Sequence, residues 1–418
     1  MIGQPKLWVY NYDFEFEFAG QPRVVLNQTN LTPWYFLNRS SSLFLPLADP
    51  GDAILSYEKP DTYILDALHQ RLGYMPDWIQ LNPSDHESNS VFFDLEKATI
   101  LTSAITDFQL SPWGWNRTAM LASNRVFSKT INLDLEKTIR MLNSKQFSFS
   151  LREENCSRRF SIPALTLSAK NISEDEFASI FQNFYRQHSS FFVKHYFGTA
   201  GKLSDFCQSD QFAKKKTKKW KTWIDKSGGI LLEKKIPVVN EWSIQLDIES
   251  DKSISPLCLT KLYSGKDRSY VGNILSDSYF FHLERLLSNL EPILKIIAGT
   301  GYHGAFGIDL IETDKGEFKL TEINARHTMG RISYEWHKAI NPFPYGLFSN
   351  FFLKKQKLSN FSVLADFCKK LENDSDCLVS IINYIASPSR DTIFASLFIG
   401  AGSEEKTWDA LNTIKSTV

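Results

Sequence analysis

The chain has 418 residues, its 47 Lys and Arg residues balance its 47 Asp and Glu residues, and 43% of its residues are hydrophobic. This length predicts two to three domains with buried cores, and the ordinary charged fraction of 22% excludes global disorder. The zero net charge gives no whole-chain electrostatic reason to expect nucleic-acid binding. No apolar run approaches the ~20 residues that a membrane helix needs, so no membrane partner is expected.

The N-terminus lacks a basic stretch followed by an apolar stretch, so we expect no signal peptide. The five cysteines are odd in number and scattered, and no CxxC pair occurs among them. This pattern predicts reduced thiols rather than a disulfide framework or a zinc site. Both observations favour a cytoplasmic protein.

The N-terminal segment, 1–125, mixes predicted strands and helices. The runs LWVYNY and AILSYE are typical of buried strands. After Pro60, apolar residues from Ile64 to Leu72 keep helical spacing. A strand followed by a turn and a helix favours an α/β layer.

The following segment, up to about residue 238, also alternates between helix and strand patterns. Ser173 followed by Glu176 is a capping-box signature that predicts the start of a helix. The run FFVKH predicts a strand that leads into a glycine-containing turn, and GGILLEKK predicts a strand opened by two glycines.

A lysine-rich run, AKKKTKKWKTW, lies between these two predicted strands, and we place it on a helix. Such a run can bind nucleic acid, an acidic partner or an acidic substrate. We favour a solvated helix surface with Trp220 and Trp223 turned inward, because the chain as a whole has no excess of positive charge. Nucleic acid is therefore not an expected partner.

The most informative stretch is 301–331, where the β-rich runs GIDLIET and EFKLTEIN flank the turn sequence DKG. A two-residue Lys-Gly loop predicts a hairpin, because glycine tolerates positive φ. This register places Asp309 directly opposite Glu322. Because side chains alternate along a strand, Asn324 and Arg326 are expected on the same face.

Like charges that face each other across a sheet destabilise it, so a cation between Asp309 and Glu322 would explain this pair. Together with Asn324 they form an all-oxygen ligand set that suits Mg²⁺ or Mn²⁺. Arg326, at the end of the row, is placed to contact a phosphate. The alternative is an edge hairpin with solvated carboxylates, and a one-residue slip in register would separate the partners.

This hairpin resembles that of a known family. A strand ending in an acid, followed by a strand with Glu-x-Asn-x-Arg, is similar to the metal and phosphate end of the ATP-grasp superfamily. The residues that match this pattern are Asp309, Glu322, Asn324 and Arg326. The continuation through Thr-Met-Gly resembles one branch of ligase-like proteins in that superfamily.

The resemblance implies an ATP-grasp fold of the α/β class, with a pre-ATP-grasp α/β domain at the N-terminus. It implies a lid subdomain at 126–238 and a metal and phosphate subdomain at 239–355. A C-terminal α/β extension would follow at 356–418.

The resemblance also assigns ATP-binding residues upstream of the hairpin. These comprise a lysine before the lid, a lysine at the end of a lid strand, a glycine loop, a strand that holds adenine and an acid for the ribose. In this sequence they match Lys145, Lys194, Gly198, Thr199, Ala200, Gly201, Glu233 and Glu241. Asn240 competes with Glu241 for the ribose position.

Family members phosphorylate a carboxylate and let a nucleophile, usually an amine, displace the phosphate. The resemblance thus implies ATP and Mg²⁺ (or Mn²⁺) as cofactors, small carboxylate and amine substrates, and catalytic roles for Lys194 and Arg326. His327 and Arg331 are candidate substrate contacts. For His327 a structural or surface role is the favoured alternative, and for Arg331 the alternative is a salt bridge. The alternatives are an ATP-grasp kinase that transfers phosphate without ligation, and a non-catalytic nucleotide-binding or interaction protein.

Overall fold

The molecule is described from a computed structural model. The residues that the structure describes are 4–11, 14–20, 39–81, 91–92, 95, 105–127, 131, 134–154, 158–168, 172–198, 203–208, 210–265, 270–354, 361–387 and 391–417. The strands are β1 (Lys6–Val9), β2 (Ala53–Ser56), β3 (Asp77–Gln80), β4 (Gln109–Pro112), β5 (Ala164–Leu167), β6 (Phe191–His195), β7 (Ser204–Cys207), β8 (Ile230–Lys234), β9 (Asn240–Ile248), β10 (Ile254–Ser264), β11 (Tyr270–Ser276), β12 (Gly304–Glu312), β13 (Phe318–Asn324), β14 (Tyr345–Leu353), β15 (Cys377–Ala386) and β16 (Ile393–Ala401). The helices are α1 (Phe14–Phe18), α2 (Thr62–Leu72), α3 (Arg117–Val126), α4 (Asp134–Leu142), α5 (Lys145–Glu154), α6 (Glu174–His188), α7 (Asp210–Ser227), α8 (Phe280–Gly299), α9 (Met329–Ile340), α10 (Phe361–Asp374) and α11 (Glu404–Thr417).

The N-terminal part forms a parallel sheet in the order β3-β2-β1-β4. Strands β1 and β2 lie in the two runs that were predicted as buried strands. Helix α2 begins after Asp61, whose side chain accepts a hydrogen bond from the backbone N–H of Tyr63, and ends at Gly73 in the left-handed conformation. The predicted α/β layer is confirmed.

A second, antiparallel sheet has the order β5-β8-β6-β7, and we call it the lid sheet. Helices α6 and α7 cover one face of it. The predicted helix start is confirmed, because the Ser173 side chain caps α6 by accepting a hydrogen bond of 3.2 Å from the Glu176 N–H. Trp220 and Trp223 are buried as predicted, and Trp220 stacks on Phe181 with 4.7 Å between ring centroids.

The largest sheet has eight antiparallel strands in the order β13-β12-β9-β10-β11-β14-β16-β15. On β9, the apolar residues Trp242, Ile244 and Leu246 share a core with residues of α8. The polar residues between them point to the opposite side, where α9 packs. Strands β15 and β16, from the segment predicted as a C-terminal extension, complete this sheet, while the predicted domain bounds themselves stay predictions.

Strand β13 is an edge of this sheet, and α5 covers it. The backbone N–H of Ile323 donates to Ser148 Oγ at 3.2 Å, and that of Ala325 donates to Asn143 Oδ1 at 3.0 Å. These side chains satisfy edge donors that no further strand pairs with. They fix α5, which begins at Lys145, beside the strand that carries Glu322.

Among the described residues, the cysteines Cys207, Cys258, Cys368 and Cys377 are free thiols, in line with the prediction, and Cys156 lies outside the described residues. In the same part of the chain, no helix combines the length and the apolarity that crossing a membrane requires.

Candidate active site

The predicted carboxylate pair forms at the β12–β13 hairpin. Asp309 is the direct cross-strand partner of Glu322, as predicted. The prediction of a two-residue loop is wrong. The Thr313 N–H donates to Glu317 O at 2.9 Å, so three residues, 314–316, form the loop. The longer loop offsets the strands by one residue near the turn.

A β-bulge cancels this offset. Leu310 pairs with Leu320, whereas the next pair outward is Asp309 with Glu322, so Thr321 is the extra residue on β13. The Thr321 hydroxyl donates to the backbone oxygen of Asp309 at 2.9 Å and holds the bulge in place. The two carboxylates thus face each other because the bulge at Thr321 compensates for the longer loop.

Asp309 is bound by neutral groups. Its Oδ1 accepts from Ser243 Oγ at 2.5 Å, and its Oδ2 accepts from Asn324 Nδ2 at 3.0 Å. Burial, and after it the negative charge of Glu322, raise the pKa of Asp309 above its usual range. Neither hydrogen-bond partner supplies the positive charge that a buried carboxylate favours.

Glu322 is paired with Lys145, whose Nζ lies 2.8 Å from Glu322 Oε2. Burial alone would raise the pKa of Glu322, but Lys145 lowers it below the ordinary value. Lys145 Nζ also donates to Gly198 O at 3.1 Å, and its backbone N–H donates to Tyr196 O at 2.9 Å. The structure therefore joins predicted ATP-binding residues to the hairpin, while Thr199, Ala200 and Gly201 lie outside the described residues.

The second predicted lysine, Lys194, lies on β6 of the lid sheet. Its Nζ forms a short ion pair with Glu233 Oε1 on the neighbouring strand β8. Glu233 Oε2 accepts from Arg152 Nη2 at 2.8 Å. Burial would raise the pKa of Glu233, but Lys194 and Arg152 lower it.

Arg326 reaches toward the N-terminal domain. Its Nε and Nη2 lie 2.7 and 2.5 Å from Glu15 Oε1 on α1, and Nη1 donates to His327 O at 3.1 Å. Arg326 and Lys194 both lower the pKa of Glu322 electrostatically. Of the three predicted cations, Lys145 contacts Glu322 directly, whereas the other two are ion-paired with other carboxylates. Their roles at a phosphate stay predictions.

Glu241 lies near the start of β9, two residues before Ser243 and on the same side of the strand. It is half-buried and accepts a hydrogen bond of 2.9 Å from Ser264 Oγ. Asn240, its competitor for the ribose position, donates to Glu312 Oε2 at 2.8 Å. The ribose role of Glu241 and the adenine role of the strand at Glu233 stay predictions.

The two candidate substrate residues lie beyond the hairpin. His327 is partly buried, its ring lies 5.7 Å from that of Trp8 and 6.0 Å from that of Phe44, and desolvation lowers its pKa to about 3. Arg331 Nη1 lies 2.8 and 2.9 Å from the carboxylate oxygens of Asp247. Its Nε donates to a second carboxylate, that of a glutamate one turn further along α9, at 2.6 Å. The structure thus gives both residues partners within the chain, and their substrate roles stay predictions.

The Thr-Met-Gly continuation also has a local explanation. The Thr328 side chain caps α9 by accepting from the Arg331 N–H at 3.2 Å, and its hydroxyl donates to Gln245 Oε1 at 2.6 Å. A Cβ added at Gly330 would lie 2.4 Å from Gln245 Nε2, so a larger residue there would displace the Gln245 amide. This motif docks α9 against β9 directly beside the carboxylate pair.

Sequence reasoning missed three residues that bind the predicted ones, namely Glu15, Arg152 and Ser243. For Ser243 a signal was present, because the alternation in EWSIQLDI places polar residues on one face of β9. Glu15 stands in an alternating FEFEF run and Arg152 in a charged helical stretch, and neither context marks a site.

The described residues include no group of three or more His, Cys, Asp or Glu side chains that could hold a metal. Asp309 and Glu322 with the carbonyl of Asn324 are therefore the oxygen donors that the hairpin offers. Such a set leaves most of the coordination of a hard cation to water or ligand oxygens, as Mg²⁺ prefers.

Several solved structures share this architecture over almost the whole chain. The biotin carboxylase domain of 2-oxoglutarate carboxylase from Hydrogenobacter thermophilus, in complex with MgADP, ADP and bicarbonate, has a TM-score of 0.55 at 12% identity, covering 99% of this chain and 90% of that one. N5-carboxyaminoimidazole ribonucleotide synthetase from Thermus thermophilus has a TM-score of 0.55 at 9% identity, with 91% and 97% coverage. The chain has the ATP-grasp fold. N5-carboxyaminoimidazole synthetase from Staphylococcus aureus, complexed with ADP, is a further ATP-grasp neighbour, with a TM-score of 0.52, 11% identity, and 90% and 95% coverage.

The ATP-grasp fold predicted from the hairpin residues is thereby confirmed. No protein-family model and no curated protein matches the sequence. The ATP-grasp likeness therefore lies in the backbone and in a few matched positions.

Proposed function

We propose that the chain is an ATP-dependent ligase that activates a carboxylate as an acylphosphate and joins it to an amine. The observation that carries this proposal is the partly buried, directly opposed pair of Asp309 and Glu322, with Lys145 ion-paired to Glu322. A sheet gains nothing from two facing carboxylates unless a positive ligand offsets their repulsion. Mg²⁺ with a nucleotide phosphate is a ligand that satisfies both the acids and the surrounding cations.

The cations have separate places in this proposal. Lys145 lies between Glu322 and the backbone of Gly198, where it can hold a phosphate oxygen. Lys194 approaches from the lid sheet, and Arg326 approaches from the end of β13. Fixed positive charge on three sides stabilises the negative charge that spreads over a phosphoryl group during transfer.

The metal would be held by Asp309, Glu322 and Asn324, whose oxygens suit Mg²⁺ or Mn²⁺. The raised pKa of Asp309 supports this assignment, because desolvation and the charge of Glu322 outweigh the attraction of Arg326, and the hydrogen bonds to Asp309 come from neutral groups. When bound, the metal supplies charge that offsets the developing charge on the phosphate oxygens.

The structural neighbours support the substrate class. One of them was solved with MgADP and bicarbonate and another with ADP. We propose that this chain likewise uses ATP and a small carboxylate, with bicarbonate, amino acids and dipeptides as the compounds to test first. An acylphosphate hydrolyses in water, so closure of the lid sheet over the hairpin would protect it.

The test is a screen for ADP release with ATP, Mg²⁺ and pairs of these carboxylates and amines, followed by mass spectrometry of the product. A ligase releases ADP and phosphate only when both co-substrates are present, and the product carries a new amide bond. A stable phosphorylated product would instead show a kinase. Nucleotide binding with neither product would show a non-catalytic protein and would reject the proposal.

A further inference from the structure

Arg152 is a buried residue of α5 that the proposed chemistry does not use. It is 1% exposed, and each arm of its guanidinium group has a different partner. Nη2 donates to Glu233 Oε2 at 2.8 Å, and Nη1 donates to the backbone oxygen of Leu320 at 2.6 Å. Glu233 belongs to the lid sheet, whereas Leu320 lies on β13 two residues before Glu322. One side chain therefore links the lid sheet to the strand that carries the metal-site carboxylate.

The shared carboxylate of Glu233 couples Arg152 to Lys194. Lys194 binds Oε1 and Arg152 binds Oε2, so the carboxylate cannot rotate without breaking one of the two ion pairs. The Glu233 side chain is only 4% exposed, and water does not readily replace either partner. The three groups together carry one net positive charge, which favours an arriving anion beside Lys194.

This position requires a side chain with two donors at a fixed spacing, which a guanidinium group provides. A lysine has one nitrogen and cannot span the Glu233 carboxylate and the Leu320 carbonyl with the same geometry. Arg152 Nε is buried and has no hydrogen-bond partner among the described residues. Burying an unpaired donor costs free energy, so satisfaction of its own donors does not explain an arginine here, whereas the span does.

We infer that Arg152 is a positioning residue for the phosphate site. Anchored on the Leu320 carbonyl, it orients Lys194 through Glu233, so that Lys194 keeps a fixed position relative to β13 around the nucleotide phosphates. The inference rests on the proposed function, because it requires Lys194 to bind phosphate. Arg152 itself touches neither phosphate nor metal.

The test is a double-mutant cycle on ligand affinity, measured by calorimetry for Mg·ADP and for adenosine. We expect Arg152→Met and Lys194→Met each to weaken Mg·ADP binding about 10- to 100-fold, the range for partners that orient ligand-binding groups. The double variant should be no weaker than the weaker single variant, since both act through one contact. Adenosine, which has no phosphate, should bind all variants within about 2-fold of wild type.

Two further variants keep the experiment interpretable. Arg159→Met removes an exposed arginine of the same region and should bind Mg·ADP as wild type does. Arg152→Met leaves Glu233 paired with Lys194, so the buried carboxylate keeps one ion-pair partner. Thermal unfolding shows whether this variant folds. Should it still fail to fold, Arg152→Lys keeps the charge without the span and should weaken Mg·ADP binding by at least about 3-fold.

Each contrary outcome has a defined meaning. Additive losses in the cycle would show that Arg152 acts independently of Lys194 and would overturn the inference. An equal loss for adenosine would show general loosening of the lid sheet and would overturn it as well. Unchanged Mg·ADP binding by a folded Arg152 variant overturns the inference alone, whereas a wild-type protein that binds neither Mg·ADP nor Mg·ATP overturns the proposed function together with it.

Discussion

The stretch from Glu322 to Arg331 has two halves with different surroundings. In the first half, Glu322 and Asn324 face Asp309, and cations gather around this pair. In the second half, His327 lies among aromatic rings of the N-terminal part, and Arg331 is bound by two carboxylates of its own chain. The two halves are adjacent in sequence, and both carry residue types that occur in active sites.

The halves differ in the ion pairing of one charged group each, namely Asp309, which faces the first half, and Arg331, which lies in the second. Arg331 has more negative charge around it than it carries, and His327 is neutral because burial lowers its pKa. Asp309 has only neutral hydrogen-bond partners, and its pKa is raised. Asp309 thus lacks an ion-paired partner and Arg331 has two, a difference that residue type alone does not show.

Glu322→Gln should show the largest effect, because it removes a proposed metal ligand and the charge partner of Lys145. We expect ATP turnover to fall at least about 10³-fold while the fold is retained, measured by ADP release and thermal unfolding. The control is Glu317→Gln on the same hairpin, whose side chain is 51% exposed, and it should keep full turnover. A well-folded, active Glu322→Gln variant would show that the first half of the stretch is not part of the active site.

Asp309→Asn should also abolish Mg²⁺-dependent turnover, but it should raise stability at neutral pH. Because the pKa of Asp309 is raised in the folded state, the native protein keeps a proton that the unfolded chain has lost above the ordinary value of ~3.9. The free energy of unfolding therefore falls as the pH rises from there through the folded pKa.

Asp309→Asn removes this dependence of the free energy of unfolding on pH. The Ser243 hydroxyl can accept a hydrogen bond from the new amide. We expect a gain on the order of 1 kcal/mol at pH 7, measured by denaturant unfolding at several pH values. In the wild type, Mg²⁺ affinity should weaken as the pH falls through the raised pKa, because protons and the metal compete for Asp309. Loss of stability in the variant at pH 7 would contradict the conclusion that Asp309 lacks an ion-paired partner in the folded protein.

The pairing of Asp309 with Glu322 could be predicted because strand alternation and a short hairpin fix it locally. Even so, the loop was predicted one residue too short, and the register survived only because the bulge at Thr321 compensates. The partners of the site were not predictable in this way. Glu15 lies 311 residues from Arg326 along the chain, and Glu233 lies 81 residues from Arg152, so only the folded topology brings these charges together.

Arg331→Met tests the second half through stability. It would leave Asp247 and Glu335 without their shared cation, and because these groups are partly exposed we expect a loss of about 2 kcal/mol in the free energy of unfolding. The Michaelis constant for the carboxylate should stay within about 2-fold of wild type. A rise of the Michaelis constant without loss of stability would instead establish Arg331 as the predicted substrate anchor.

His327→Phe should have the smallest effect. The imidazole is neutral above a pH of about 3, its Nδ1 has no hydrogen-bond partner among the described residues, and aromatic rings surround it. A phenyl ring fits this environment without a buried polar atom, so unfolding free energy should change by less than about 1 kcal/mol and turnover should persist. The pH profile of turnover should be identical in the variant, because a group that titrates near pH 3 cannot exchange protons at neutral pH. If turnover falls 100-fold in a stable variant, His327 contacts the substrate as the sequence suggested, and it then belongs to the active site together with the first half.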